Sequence, residues 1–198
     1  PSINTKLYLA IGFVFFFLVG CALAVVVGRS RDFVEYFMYV DKKTGLPNRD
    51  RVDAMMARLE KQGLLPSHFT CMCFQFTSLN HLSREYGYSV GNHVLRDFAG
   101  LVAAFGTEES IIGANGAGQI LGFFRECNAG KAEASLEVLD EQIQEYNSLN
   151  PDYAIEYKAA SATSDDEKEF NIRDLLRCAF KKLRDANKPQ PETAHETV

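Results

Sequence analysis

Asp41-Lys42-Lys43-Thr44-Gly45-Leu46-Pro47-Asn48-Arg49 is the stretch that decides how this chain folds. Gly45 and Pro47 make it a dense turn signal, because glycine takes positive φ freely and proline presets φ near that of a turn. A helix is predicted directly after it, from Asp50 to Gln62, where Val52, Met55, Met56 and Leu59 recur at helical spacing. A turn leading straight into an amphipathic helix marks the entry to a folded domain.

Downstream, Phe69 to Thr77 alternates and predicts a strand on which Cys71 and Cys73 share one face. Ser89 to Phe105 predicts a helix with Val90, Val94, Leu95, Phe98, Leu101 and Val102 on one side. Ser110–Ala114 and Gln119–Arg125 flank Asn115-Gly116-Ala117-Gly118, which predicts a hairpin with a glycine-rich tip. Lys131 to Leu149 predicts a helix that turns Leu136, Leu139, Ile143 and Tyr146 inward. Tyr153 to Ala160 reads as a further strand and Ile172 to Ala186 as a last helix. The order helix-strand-helix-hairpin-helix-strand-helix predicts an α/β (α+β) domain. Its sheet is expected to be mixed but antiparallel-rich, of about four or five strands, with helices packed on it.

Upstream, the 22 residues from Leu7 to Gly28 carry no charge. At a rise of about 1.5 Å each they would extend roughly 33 Å, enough to cross a hydrocarbon core. A signal peptide has an apolar core of roughly 7–15 residues, whereas this run continues past Ala24. One transmembrane helix over 7–28 is therefore expected, as a lower bound. Lys6 alone precedes it, while Arg29, Arg31, Lys42 and Lys43 follow, so the positive-inside tendency places the C-terminal part in the cytoplasm. The expected organisation is an N-terminal flank at 1–6, the span at 7–28, a helical juxtamembrane linker at 29–40, a domain at 41–188 and a flexible tail at 189–198.

Composition removes several classes of function. The 198-residue chain has a net charge of -5, 24% charged residues and no Lys/Arg-rich block, which excludes a nucleic-acid binder that works through a basic stripe. Its five cysteines are odd in number and show no zinc-type spacing, so no metal site and no disulfide framework is expected. His81 and His93 have no evident carboxylate partner, and Ser78, Ser83 and Ser89 have no base, so none reads as catalytic. Asp165-Asp166-Glu167-Lys168-Glu169 reads as a solvated loop leading into the last helix.

Three segments together resemble one family. Asp41 to Arg49 resembles the D-x-L-T-G-L-x-N-R entry of GGDEF (diguanylate cyclase) domains. Tyr86-Gly87-Tyr88-Ser89-Val90-Gly91-Asn92-His93-Val94-Leu95 is similar to that family's Y-G-H-x-x-G-D-x-V-L segment. Gly116-Ala117-Gly118-Gln119-Ile120 falls where the G-G-D-E-F signature would stand. The resemblance covers about residues 41–188 and implies a nucleotidyl-cyclase-like fold.

The resemblance also implies which residues would do the chemistry, and here the chain departs from the family. The two acids that would hold Mg²⁺ correspond to Gln75 and Gly118, the next signature acid to Gln119, and the second acid of the strand-end motif to Thr77. Magnesium asks for hard oxygen ligands, mostly carboxylates, and phosphoryl transfer depends on it. The phosphate-binding lysine corresponds to Asn80, and the guanine-reading asparagine and aspartate to Ser83 and Asn92. The R-x-x-D that often precedes the hairpin would fall at Thr107 and Ser110 and is absent. Gly116 and Ala117 retain the tip without its acids.

The expectation is a degenerate, catalytically inactive domain without a cofactor, anchored in the bacterial inner membrane. It would act as a protein-interaction or scaffold module, with partners in an inner-membrane or cytoplasmic complex and a homo-oligomer among the options. Family analogy links it to cyclic di-GMP and to surface processes such as exopolysaccharide export or biofilm control. The lost contacts weigh against nucleotide binding. A non-catalytic receptor for GTP or c-di-GMP, using Ser83 and Asn92, is the alternative, and residual cyclase activity the second alternative.

Overall fold

The computed structural model describes residues 12–25, 38–107, 109–165 and 171–186. The chain divides into two compact units, Pro1–Tyr39 and Val40–Val198. In the first, residues 12–25 are helical and leave Phe13, Phe15, Phe16 and Phe17 exposed. The two ends of the 7–28 segment, most of the 29–40 linker and the 189–198 tail lie outside the described residues. Among the described residues no helix is long and apolar enough to cross a membrane.

The second unit runs in the order α1 (Arg49–Gln62), β1 (Thr70–Phe76), α2 (Leu79–Glu85), α3 (Tyr88–Ala103), β2 (Ile111–Ala114), β3 (Gln119–Phe124), α4 (Ala129–Leu149), β4 (Tyr157–Thr163) and α5 (Ile172–Asp185). The four strands form one sheet in the order β2-β3-β1-β4. Every neighbouring pair is antiparallel, which corrects the expectation of a mixed sheet. β1 and β2 do run the same way, but β3 lies between them, so no two parallel strands meet.

β1 is the middle of this arrangement. Its alternation sends Met72, Phe74 and Phe76 into a core with Leu95, Phe98, Leu139 and Ile143, under α3 and α4. Cys71 and Cys73 go to the opposite core with Val52, Leu59, Leu175 and Ala179, under α1 and α5. Burying each large apolar side chain contributes roughly 1.5–3 kcal/mol, so the two-sided cover of one strand holds both layers together. All cysteines of this domain are free thiols, and burial beside Cys73 pushes the Cys71 thiol up.

Local capping explains the helix boundaries. Asn48, Asn128 and Asn171 each accept a backbone N–H of the first turn of α1, α4 and α5. Gly87, at φ +91°, breaks α2 from α3. Two sequence expectations shift. The strand expected at Tyr153–Ala160 pairs over Tyr157–Thr163, because Pro151–Tyr153 form a 3-10 turn and the side chain of Asn147 holds the Ile155 N–H at 2.7 Å and its carbonyl at 3.0 Å. Asp165, expected in a solvated loop, instead accepts from the His68 N–H at 2.9 Å and pairs with its ring at 2.8 Å. Those contacts hold the Asp165 carboxyl below its ordinary value. Residues 166–170 of that acidic run are outside the described residues.

The entry turn is built around Asp41, whose carboxylate accepts from Lys43 N at 3.1 Å, Thr44 N at 2.8 Å and Thr44 Oγ1 at 2.8 Å. The turn then lies on β2, where Ala114 N donates to Pro47 O at 2.8 Å. Gly113 allows this approach: a Cβ there would stand 2.3 Å from Val52 Cγ2 and 2.9 Å from Pro47 O. Gly113→Ala should therefore force the turn and α1 off the sheet and lower stability by about 1–3 kcal/mol, the usual range for overpacking. Urea denaturation of the variant checks this; an unchanged midpoint would show that the turn yields freely.

Candidate functional site

The residues singled out from the sequence fall around the open end of β1 and the tip of the β2–β3 hairpin. Gln75, one residue before the end of β1, is the register partner of Gln119, the first residue of β3. Gly116, Ala117 and Gly118 make the tip with three successive positive φ values, +79°, +50° and +74°. This conformation is easy for glycine and costly for alanine, so the tip is held by its surroundings. The Phe76 N–H donates to Gly118 O at 2.9 Å, and Asn115 N donates to Gln119 O at 2.8 Å.

Side-chain amides link these positions in a chain. Asn115 Nδ2 donates to Gln119 Oε1 at 2.6 Å, and Gln119 Nε2 donates to Gln75 Oε1 at 3.4 Å. Gln75 Nε2 closes it on Ala117 O at 3.0 Å. The structure thus brings Gln75, Ala117, Gly118 and Gln119 together and adds Asn115, which sequence reading left as a turn residue. Each amide oxygen of the two glutamines already accepts a hydrogen bond, and none of these groups carries charge.

That donor set does not suit a divalent magnesium ion. Hard cations are held by carboxylates and water, and the available oxygens here are neutral and engaged. Among the described residues no group of three or more His, Cys, Asp or Glu side chains could hold a metal. An acid cannot be placed at Gly118 without strain, because φ there is +74° and an added Cβ would meet Phe76 O at 3.3 Å.

The other candidates are more dispersed. Thr77 is exposed, with its N–H bonded to Glu156 O at 2.8 Å. Asn80 is exposed on α2. Ser83 packs beneath α3, its Oγ 2.5 Å from where a Cβ on Gly91 would stand, so Gly91 serves close helix contact. Asn92 lines a different concavity, between α3 and α4, and not the cleft at the hairpin. That cleft, lined by Asp41, Lys43, Thr44, Leu79 and the hairpin tip, has a volume of about 130 Å³. Ligand sites are commonly about 300–1,000 Å³.

Three features escaped sequence reading. Arg96 on α3 donates to Lys42 O at 2.8 Å and Lys43 O at 3.3 Å, fixing the entry turn. Tyr146 OH donates to Asp97 Oδ2 at 2.9 Å, and burial with that contact pushes its pKa up to about 12. His93, read as lacking a carboxylate, has Asp97 Oδ2 at 3.8 Å, one turn along α3. His81 is exposed on α2. None of the three contacts has a local sequence signature except His93–Asp97, whose four-residue spacing is legible on a helix.

A four-stranded antiparallel sheet covered on both faces, with a glycine hairpin facing the end of its central strand, defines the class to which this site belongs. The family model described as the diguanylate cyclase GGDEF domain matches residues 38–192, and the chain belongs to that family. No sequence among curated proteins matches. Among solved structures, the coiled-coil and GGDEF domain of DgcB from Caulobacter crescentus, in complex with c-di-GMP, is 16% identical with a TM-score of 0.71, covering 94% of this chain and 95% of that one. The GGDEF domain of FimX from Pseudomonas aeruginosa is 19% identical with a TM-score of 0.61, covering 75% and 93%. The diguanylate cyclase SiaD, solved with its activator SiaC from Pseudomonas aeruginosa, is 16% identical with a TM-score of 0.59, covering 93% and 74%. At these identities the likeness is one of fold.

Gln119→Leu should release Asn115 and Gln75 at once. Losing one such bond costs about 0.5–1.5 kcal/mol. Faster amide exchange across residues 115–119, with little change in β1, is the expected result. Unaltered exchange would mean the tip is held by its backbone bonds alone.

Proposed function

We propose that this GGDEF domain has given up cyclase chemistry and works as an interaction module. It would be anchored by the 7–28 segment in the bacterial inner membrane, with the domain in the cytoplasm, in a c-di-GMP-linked surface process such as exopolysaccharide export or biofilm control. The observation that carries this reading is the amide chain through Gln75 and Gln119, with Gly118 beside it, where the family resemblance puts its acids. With no carboxylate at those positions, the amides leave no acid pair to hold a cation against a triphosphate, and no step of phosphoryl transfer can be derived from these residues. SiaD, solved with its activator SiaC, supports the notion that this fold can present a face to a protein.

The domain should make no c-di-GMP above background when purified and given GTP with Mg²⁺ or Mn²⁺. Turnover abolished by changing Gln75 or Gln119 would end the inactive reading.

A second reading, a non-catalytic receptor for GTP or c-di-GMP, is favoured by the c-di-GMP complex of DgcB. Against it stand Asn80 in place of a lysine and the small cleft at the hairpin. In the interaction-module reading, guanine nucleotides bind no better than millimolar, about 4 kcal/mol; a receptor would reach micromolar, about 8 kcal/mol. Calorimetry separates the two. Micromolar binding weakened by bulky apolar residues at Ser83 or Asn92 would promote the receptor.

The membrane placement rests on the uncharged 7–28 run and the basic residues after it. A cysteine introduced near Lys188 should resist impermeant maleimide in intact cells and react after permeabilisation. Labelling from outside would reverse the orientation.

A further inference from the structure

We propose that the outer surface of the α1/α5 layer lies against the anionic lipid of the cytoplasmic leaflet and so fixes which side of the domain is presented to the cytoplasm. The proposal rests on the reading of residues 7–28 as a bilayer anchor. It goes beyond that reading, because an anchor alone does not decide which side of the domain meets the lipid.

The domain is electrically two-sided. α1 and α5, which cover one face of the sheet, carry nine lysines and arginines against five acids, an excess of four positive charges. α2, α3 and α4, on the other face, carry three against seven, an excess of four negative charges. The whole chain has a net charge of -5, so the basic layer runs against the trend of the molecule. No block of the sequence announces it, because α1 and α5 stand near opposite ends of the domain and only the sheet brings them side by side.

Ion pairing within the layer does not remove the excess. Arg49 pairs with Asp53 at 3.7 Å, Arg173 with Glu60 and Arg177 with Asp174, which takes up as many cations as acids. Six basic residues then stand against two acids, Asp50 and Asp185. Arg58 and Lys61 on α1, and Lys181 and Arg184 on α5, are all exposed. Along α5, Arg173, Arg177, Lys181 and Arg184 recur three or four residues apart, which places them on the side opposite the buried Leu175, Ala179 and Leu183.

Charge and tether together select the occupant. Each lysine or arginine near an anionic leaflet strengthens attachment by roughly fivefold. Charge spread over the exteriors of two helices suits a leaflet, whose anions are spread as well. Residues 29–40, between the apolar run and the entry turn, extend to at most about 40 Å. An anchored domain therefore meets the lipid at a higher effective concentration than it meets a soluble polyanion. The acidic α4, on the far side of the sheet, is repelled by a surface of its own sign, and the α3–α4 side is left open to the cytoplasm.

The test uses the full chain in lipid nanodiscs, with p-azidophenylalanine in place of Gln62 on α1 or of Gln144 on α4, both exposed, coupled to a donor dye. The acceptor dye sits on the lipid headgroups. With about one third phosphatidylglycerol in the bilayer, energy transfer from position 62 should exceed that from position 144 by about twofold. The difference should vanish in pure phosphatidylcholine, and at about 1 M salt, where the screening length falls to about 3 Å. The variant Arg58→Gln, Lys61→Gln, Lys181→Gln, Arg184→Gln should lose it with an unchanged melting temperature, while Glu133→Gln, Glu137→Gln, Glu141→Gln, Glu145→Gln on α4 should keep it. Equal transfer from the two positions in anionic bilayers, a difference that persists in neutral ones, or one indifferent to the four basic substitutions overturns the proposal. So does a duplex oligonucleotide or polyglutamate that binds the chain in neutral bilayers at about 0.15 M salt and is released by the same substitutions, which would give the surface to a soluble polyanion. Incorporation into the bilayer separates the two levels. A chain that never enters lipid removes the anchor and this proposal with it, whereas a chain that enters and shows no preferred side removes the proposal alone.

Discussion

The rest of the structure depends on the saturation of β1. Its backbone is paired to β3 on one side and β4 on the other, and its side chains are buried in two cores at once. Such a strand has no freedom to slip, because a shift of one residue would exchange the contents of the two cores. Its side chains are buried along its length except Gln75, which is half-buried. The site is therefore placed by default where the strand runs out of cover, and the hairpin that β3 shares with β2 is carried to that same spot by register.

This explains why the fold was legible in the sequence and the interactions of the site were not. Val52, Leu59, Val94, Phe98, Leu139 and Ile143 repeat at helical spacing, and β1 alternates, so the elements follow from periodicity. α2 was not foreseen because seven residues with one buried side chain, Leu82, make too short a repeat to detect. The start of β4 was misplaced because Tyr153, Ile155 and Tyr157 already alternate before pairing begins, and only the clamp of Asn147 on Ile155 delays the strand. The positions Gln75, Gly118 and Gln119 could be named from the family resemblance. Their mutual hydrogen bonds could not, because an amide chain leaves no pattern in residue spacing.

The same distinction applies to charge. His68 and Asp165 are 97 residues apart and Glu60 and Arg173 are 113 apart, and both pairs close only when the strands and helices are assembled. Both are solvent-accessible, so each adds little to stability; the first ties two loops together and the second joins α1 to α5. Arg96 differs in kind, since it holds backbone carbonyls of the entry turn and so ties α3 to the place where the domain begins.

The neutral hairpin has a further consequence. Carboxylates gathered at one point repel each other until a cation arrives, so a site built from acids is ordered only with its ion in place and loosens as ion supply or pH changes. Asn115, Gln119 and Gln75 attract one another with no ion at all, and none of them titrates. The hydrogen bonds that shape this end of the domain thus include no ion. A surface meant to be recognised by a protein gains from such independence, while a surface meant to turn over substrate would lose by it.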